Sequence, residues 1–425
     1  MEILLESVEI VDKRYPFNGN RRNILIKDGY IKSITNKKIS AKKVIDCRNV
    51  QLSTGWFDLG TFFGDPGFEY KEDIASGCAT AMYGGFTDVA ILPNTLPTVQ
   101  SKNEITYLKS KCDPYLTEVH PLAAVTNKTE GKELTEMIDL FEAGAVGFTD
   151  GLKPLWNTDI VLKTLQYLQK FDGLLINRPE DTMLTAFGSM HEGVQSTGLG
   201  LKGMPSLAEE VMIARDIQLL EYAGGKIHFH NISSGNSVEL IRKAKKKGLA
   251  VSCDIGIHQI AFDDSKLEDF DTVYKVNPPF REKKDVKQLV KGLKDGTIDL
   301  IVSSHRPQDE ESKNLEFDLA DFGITGLQTF YPVLLEYLNE ISLEDLIEKV
   351  TINPRELLNL PLPEIKEDAL ACLTLFQPSE DWTLNDTTNK SKSKNSPFYG
   401  QKLKGKVVGA FNKGKYFLDP SISSQ

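Results

Sequence analysis

Short apolar runs alternate with longer amphipathic ones through the middle of the chain. Residues 87–92, 118–124, 145–149, 173–176, 226–230, 250–254 and 299–303 read as strands, each too short for a helix and flanked by polar breaks. Residues 73–83, 206–223, 237–246 and 283–294 carry the 3.6-residue spacing of amphipathic helices. Alternating strand and helix patterns predict a parallel sheet, and about eight such units predict a (β/α)8 TIM-type barrel. A doubly wound open sheet is the alternative from pattern alone. In either case catalytic side chains are expected just after the strands, at their C-terminal ends.

The two ends of the chain read differently. Residues 3–10 alternate, 23–27 lead into the turn Asp28-Gly29, and 30–34 return. Residues 371–376 and 406–411, the turn Asn412-Lys413-Gly414, and 415–418 repeat the theme. Such turns between apolar strands signal hairpins. The expectation is a small β-sandwich from residues 1–53 and 360–425, with the barrel in 54–359. The polar stretch 380–396 is expected to be a mobile loop in the small unit. At 425 residues the chain is long enough for both units, and its 40% hydrophobic and 26% charged content is ordinary for a globular protein. The net charge of -10 argues against a nucleic-acid or anionic-membrane surface. No apolar run reaches the roughly 20 residues needed to span a bilayer. The first residues carry acids where a signal peptide needs bases, and the five cysteines are scattered without a CxxC pair. Reduced thiols and a cytoplasmic location are expected.

Candidate chemistry begins at Asp58-Leu59-Gly60-Thr61-Phe62-Phe63-Gly64-Asp65-Pro66-Gly67, after the apolar run 51–57. This segment, Asp65 to Asp73, Pro93-Asn94-Thr95, Ser196 to Leu201, Val276 to Arg281, Phe322 to Leu327 and Ser396-Pro397-Phe398 follow one another in an order that resembles the dihydroorotases of the cyclic amidohydrolase family. The resemblance runs over nearly the whole chain. It implies an amidohydrolase barrel with a zinc site fed by several strands; fold by itself carries no activity.

The family's metal-binding positions read unusually here. Its first motif is Asp-x-His-x-His-x-Arg, and this chain has Gly60, Phe62 and Gly64 at the two histidines and the arginine. An acidic ligand position is matched by Asp150, with Lys153 three residues on. A further histidine position reads Arg178, whose guanidinium is protonated and has no lone pair to give. It is expected to neutralise Asp150 directly. In His228-Phe229-His230-Asn231-Ile232-Ser233, anchoring on Ser233 puts Asn231 at the ligand position, with His228 and His230 facing the helices; a one-residue slip would make His230 the ligand. The general-base aspartate position reads Ser304, and a serine cannot take that role without its own base. Asn94, Asn277 and His305 stand at positions suited to holding a substrate. No HExxH, GxSxG, Walker or GxGxxG pattern offers another chemistry.

The resemblance therefore implies a dihydroorotase-like protein of pyrimidine biosynthesis with degenerate catalytic positions. No cofactor is expected, although the family uses zinc. Three readings stay open: a silent structural or regulatory subunit, an active cyclic amidase rebuilt around Asp150, His230 and His305, and a non-catalytic binder of dihydroorotate or carbamoyl aspartate. Partners implied are aspartate carbamoyltransferase, an active dihydroorotase paralogue, or a second copy of the chain.

Overall fold

Eight parallel strands form the barrel: Trp56–Thr61, Phe86–Ile91, Glu118–Ala123, Gly147–Phe148, Leu175–Asn177, Ile227–Phe229, Val251–Gly256 and Leu300–Val302, adjacent in chain order. The structure is a computed structural model that describes residues 1–422. Alternation along the strands splits the apolar residues into two sets. Phe57, Leu59, Ala90, Leu92, Leu122, Ile176, Leu300 and Val302 fill the barrel interior. Ile91, Phe148, Leu175, Phe229, Cys253 and Ile301 pack outward beneath the helices. The first and last strands are tied by Asp58, which accepts from the backbone N–H and the hydroxyl of Ser303, both at 2.6 Å. The Phe62 N–H donates to the His305 carbonyl at 3.1 Å just beyond.

The expected helices are present with end shifts of a residue or two. Ile74–Tyr83 starts at a reciprocal cap: the Asp73 carboxylate accepts from the Ser76 N–H at 2.7 Å, and the Ser76 hydroxyl accepts from the Asp73 N–H at 3.2 Å.

Both chain ends join in one continuous, mostly antiparallel eight-stranded sheet. Gln51–Thr54 is the seam, paired with Glu2–Ile10 on one side and Leu373–Thr383 on the other. Trp56 then packs against Phe86, Phe330, Tyr331 and Phe376, joining the sheet to the barrel.

The polar stretch 380–396 differs from expectation. Its first residues extend the strand Leu373–Thr383, and the rest lies across the barrel mouth instead of forming a mobile loop. Its polar groups are satisfied by the barrel. Ser391 donates to the Glu72 carboxylate, the Ser393 hydroxyl to the Lys71 carbonyl at 2.7 Å, and the Asn395 amide to the carbonyls of Arg306 and Gly323 at 3.1 and 3.0 Å. A hydrophilic sequence here marks a strap held by hydrogen bonds.

At the opposite end of the barrel, Arg355 is buried and donates to the Gly55 carbonyl at 2.8 Å and to Asp88 at 2.5 Å. Burial alone would raise the Asp88 pKa; the Arg355 charge and the His120 hydrogen bond at 2.9 Å hold it well below the usual carboxylate range. Removing one partner of such a pair costs about 3–5 kcal/mol. Arg355→Ala should lower the urea unfolding free energy by that order, and a change under about 1 kcal/mol would show the pair to be dispensable.

Candidate functional site

The residues singled out in the sequence converge at the C-terminal ends of the strands. Gly60, Phe62, Arg178, His230, Asn231, Ser304 and His305 line one small chamber. Asp254, at 0% exposure, organises it. Its carboxylate accepts from the His228 Nε2 side at 2.8 Å, from the His230 Nδ1 side at 2.7 Å, and from the Asn231 N–H at 2.7 Å. Burial alone would raise its pKa; its close contacts with His230 and His228, both hydrogen-bonded to it, hold it well below the ordinary value.

The histidines therefore face inward, contrary to the anchored expectation. His228 sits in register with Ile176, an interior residue, while Phe229 faces the helices. Strict alternation then directs His230 inward. Asn231 joins it because its φ is 59°, a left-handed kink that interrupts the alternation. Both candidate registers are thus partly realised, since His230 and Asn231 both line the chamber.

The hydrogen-bond chain fixes the proton positions. An Asn231 amide hydrogen is donated to His230 Nε2 at 3.0 Å, so His230 is neutral and carries its proton on Nδ1, toward Asp254. The Asn231 carbonyl oxygen accepts from the Ser304 hydroxyl. Ser304 itself has φ 47°.

Gly60 explains where the His230 ring lies. Its φ of +83° suits glycine, and a Cβ there would stand 2.3 Å from both Cε1 and Nε2 of His230. The imidazole occupies the volume that a side chain at position 60 would need. Phe62 forms the neighbouring wall and is 6% exposed.

Arg178 does not pair with Asp150. Its guanidinium donates to the Leu152 carbonyl at 2.8 Å and to Glu180 at 2.5 Å. Asp150 is satisfied by Thr126, accepting from its N–H at 2.9 Å and its hydroxyl at 2.5 Å. The expected pairing fails because each group has a nearer partner. Burial pushes the Asp150 pKa up to about 6, against the lowering effect of those bonds.

The substrate-holding candidates are committed internally. Asn94 donates to the Asp150 carbonyl at 3.0 Å and accepts from the Leu152 N–H at 2.8 Å. Asn277 donates to Glu180 at 3.2 Å. His305 Nδ1 accepts from the Gly326 N–H at 3.2 Å, leaving Nε2 3.4 Å from Glu72. Sequence reasoning missed Glu72, Asp254 and Arg306. The acid Asp254 four residues into the run 250–254 was the available signal.

Two clusters among the described residues bring metal-ligating atoms within 4.8 Å of one another: His228, His230 and Asp254, and His191, Asp264 and Glu282. In the first, every ring nitrogen already has a hydrogen-bond partner. In the second, Arg281 donates to His191 Nδ1 at 3.1 Å, so the neutral ring carries its hydrogen on Nε2.

Two outcomes check this geometry. Gly60→Ala should destabilise the protein by about 1–3 kcal/mol through overpacking, and adding His230→Ala should return part of that loss. Strictly additive losses would place the ring elsewhere. Asp150 binds its proton more tightly when folded, because its native pKa of about 6 lies above the unfolded value near 4. Its contribution is therefore full below about pH 4 and is lost as pH rises toward 6, a change of about 3 kcal/mol. Asp150→Asn should flatten the stability profile over that window relative to wild type, as read by urea titrations at each pH.

The chain matches the Dihydro-orotase-like family model over residues 51–237 and the Amidohydrolase family model over 189–416. It is 37% identical to a dihydroorotase of Syntrophus aciditrophicus, over 98% of this chain and 99% of that one. It is 40% identical to a dihydroorotase of Acetivibrio thermocellus, over 95% and 96%. Among solved structures it resembles the L-hydantoinase of Arthrobacter aurescens with a TM-score of 0.85 at 21% identity, covering 98% of this chain and 96% of that one, a likeness of fold. Identity this high over nearly the full length, on the barrel just described, means that the chain belongs to the dihydroorotase family of amidohydrolases.

Proposed function

We propose that this chain is a catalytically silent, metal-free member of the dihydroorotase family, acting as a structural or regulatory subunit in pyrimidine biosynthesis. The observation that carries the reading is the His230 ring seated against Gly60, where the family's first histidine would stand. A zinc hydrolase needs three or four N or O ligands and an open position for water. Gly60 and Phe62 offer no ligand atom, Arg178 offers a cation, and the Asn231 carbonyl and Ser304 hydroxyl are engaged with each other. The donor set does not fit the ion. The chamber they enclose is about 30 Å³, room for water and not for a cyclic amide.

A subunit role is supported by the apolar side chains left exposed in one stretch. Met183, Phe187 and Val194 are exposed at 84%, 91% and 82%, and Leu207 and Val211 follow on the adjoining helix. Aspartate carbamoyltransferase and an active dihydroorotase are the partners this reading favours.

The Asp254–His230 pair supports a second reading, a rebuilt amidase, because a carboxylate that orients an imidazole is the arrangement of a general base. Against it, His230 Nε2 already accepts from Asn231, and the Ser304 hydroxyl is turned to Asn231 instead of His230.

Purified protein dialysed against a weak chelator should retain well under one zinc per chain by elemental analysis. Dihydroorotate hydrolysis should stay at background, and Ser304→Asp alone should restore nothing, because such residues act as a unit. Metal-independent hydrolysis abolished by His230→Ala would establish the second reading in place of the first. Co-expression with aspartate carbamoyltransferase should give a co-eluting complex on gel filtration; separate elution would remove that partner.

A further inference from the structure

Away from the barrel chamber, three elements bring one nitrogen and two carboxylates together. His191 ends the short strand Met190–His191, which pairs with Gly203–Met204. Asp264 opens the turn Asp264–Leu267, and Glu282 caps the start of the helix Lys283–Lys294. The Asp264 N–H donates to the Arg281 carbonyl at 3.0 Å, which fixes Asp264 beside Glu282. A Cβ on Gly193 would stand 3.6 Å from both His191 Nε2 and Glu282 Oε1, so these two atoms face the same glycine. One ligand atom from each of the three side chains lies within 4.8 Å of the other two.

The charges there are short of a cation. Asp264 is 7% exposed, and its carboxylate accepts from no other residue and forms no ion pair among the described residues. Its neighbours are acids: burial first, then the charges of Asp263, Glu282 and Asp285, push its pKa up. Asp263 and Asp285 are engaged elsewhere, accepting from the Ser265 hydroxyl at 2.6 Å and the Gly235 N–H at 2.9 Å. Two cations stand close by. Lys284 pairs with Glu282 through a side chain that is 77% exposed. Arg281 is buried on the Nδ1 side of the His191 ring, donating to that nitrogen at 3.1 Å, to the Met204 carbonyl at 2.8 Å and to the Ser233 hydroxyl at 2.9 Å. A buried carboxylate without a partner is costly, and a cation held between it and Glu282 offsets that cost.

We propose that His191 Nε2 and the carboxylates of Asp264 and Glu282 bind one zinc ion, with water in the open position. One imidazole and two carboxylates are ligands that zinc takes at about 2.0–2.2 Å, whereas magnesium and calcium favour oxygen alone. Ligand atoms on such an ion stand about 3.4 Å apart, so small side-chain rotations complete the site. Zinc at Nε2 moves the single ring hydrogen to Nδ1, where the Met204 carbonyl, already in reach of the ring, accepts it. Arg281 keeps its bonds to Ser233 and Met204, and Lys284 swings into solvent. The site lies apart from the inner chamber and leaves that chamber metal-free. Glu282 is half-buried, so the ion is open to solvent on that side and a weak chelator removes it.

Titration of the chelator-treated, desalted full chain with zinc against a chromophoric competitor, and with cobalt(II) followed by its visible absorption, tests this. One equivalent of zinc should bind at micromolar concentration, and millimolar magnesium should not displace it. His191→Ala should weaken zinc by at least about 10-fold and remove the cobalt absorption. Glu282→Gln, at a half-buried position where folding is not at risk, should weaken it by a similar factor. Lys284→Gln, which removes the competing cation from an exposed position, should tighten it about 2- to 5-fold. Zinc affinity unchanged in Glu282→Gln, displacement by magnesium, or no binding at submillimolar zinc would each overturn this site and leave the metal-free reading of the chamber intact. Zinc lost in His230→Ala and kept in His191→Ala would place the ion in the chamber and overturn both.

Discussion

His230 can lie at the barrel mouth only because residue 60 has no side chain. That exclusion organises everything around it. The imidazole, held by Asp254, stands where a ligand from the first strand would otherwise project. It also places Nε2 within reach of Asn231, which in turn engages Ser304. Gly60, His230, Asn231 and Ser304 stand at or just past the ends of three different strands, yet each one's position is intelligible only through the others. A buried polar network of this kind is stable when every member is satisfied, and these members are.

The same logic accounts for Arg178 and Asp150. Opposite charges at neighbouring strand ends do not pair when each already has a closer, better-shaped partner. Asp150 sits in a pocket made by Thr126, and Arg178 bridges the Leu152 carbonyl to Glu180. Coulombic attraction over a longer distance does not compete with a hydrogen bond in place.

Much of this was legible in the sequence. The barrel strands, the helices and the terminal hairpins follow from apolar period and turn residues, and the substituted positions stand out against the family's motifs. What was not legible has a common physical origin. Side-chain direction was inferred by alternation, which holds within Ile227–Phe229 and lapses at Asn231, where φ is 59°. Counting backward from Asn231 across that kink turned His230 and His228 outward. The strap over the barrel mouth was read as mobile because polar residues seldom bury, and the barrel carbonyls that satisfy it lie some 70 to 320 residues away in sequence. Thr126, the partner of Asp150, is likewise distant in sequence and carries no motif.

The seam of the small sheet has a consequence for biosynthesis. Gln51–Thr54 pairs with Leu373–Thr383, so the sheet's two halves leave the ribosome about 320 residues apart. At common rates of synthesis that is roughly 15–60 s. Through that interval the first strands have an unpaired edge, and the barrel strands emerge beside it. A nascent chain of this design depends on its barrel forming early, or on a chaperone shielding that edge, before its own tail arrives to close the sheet.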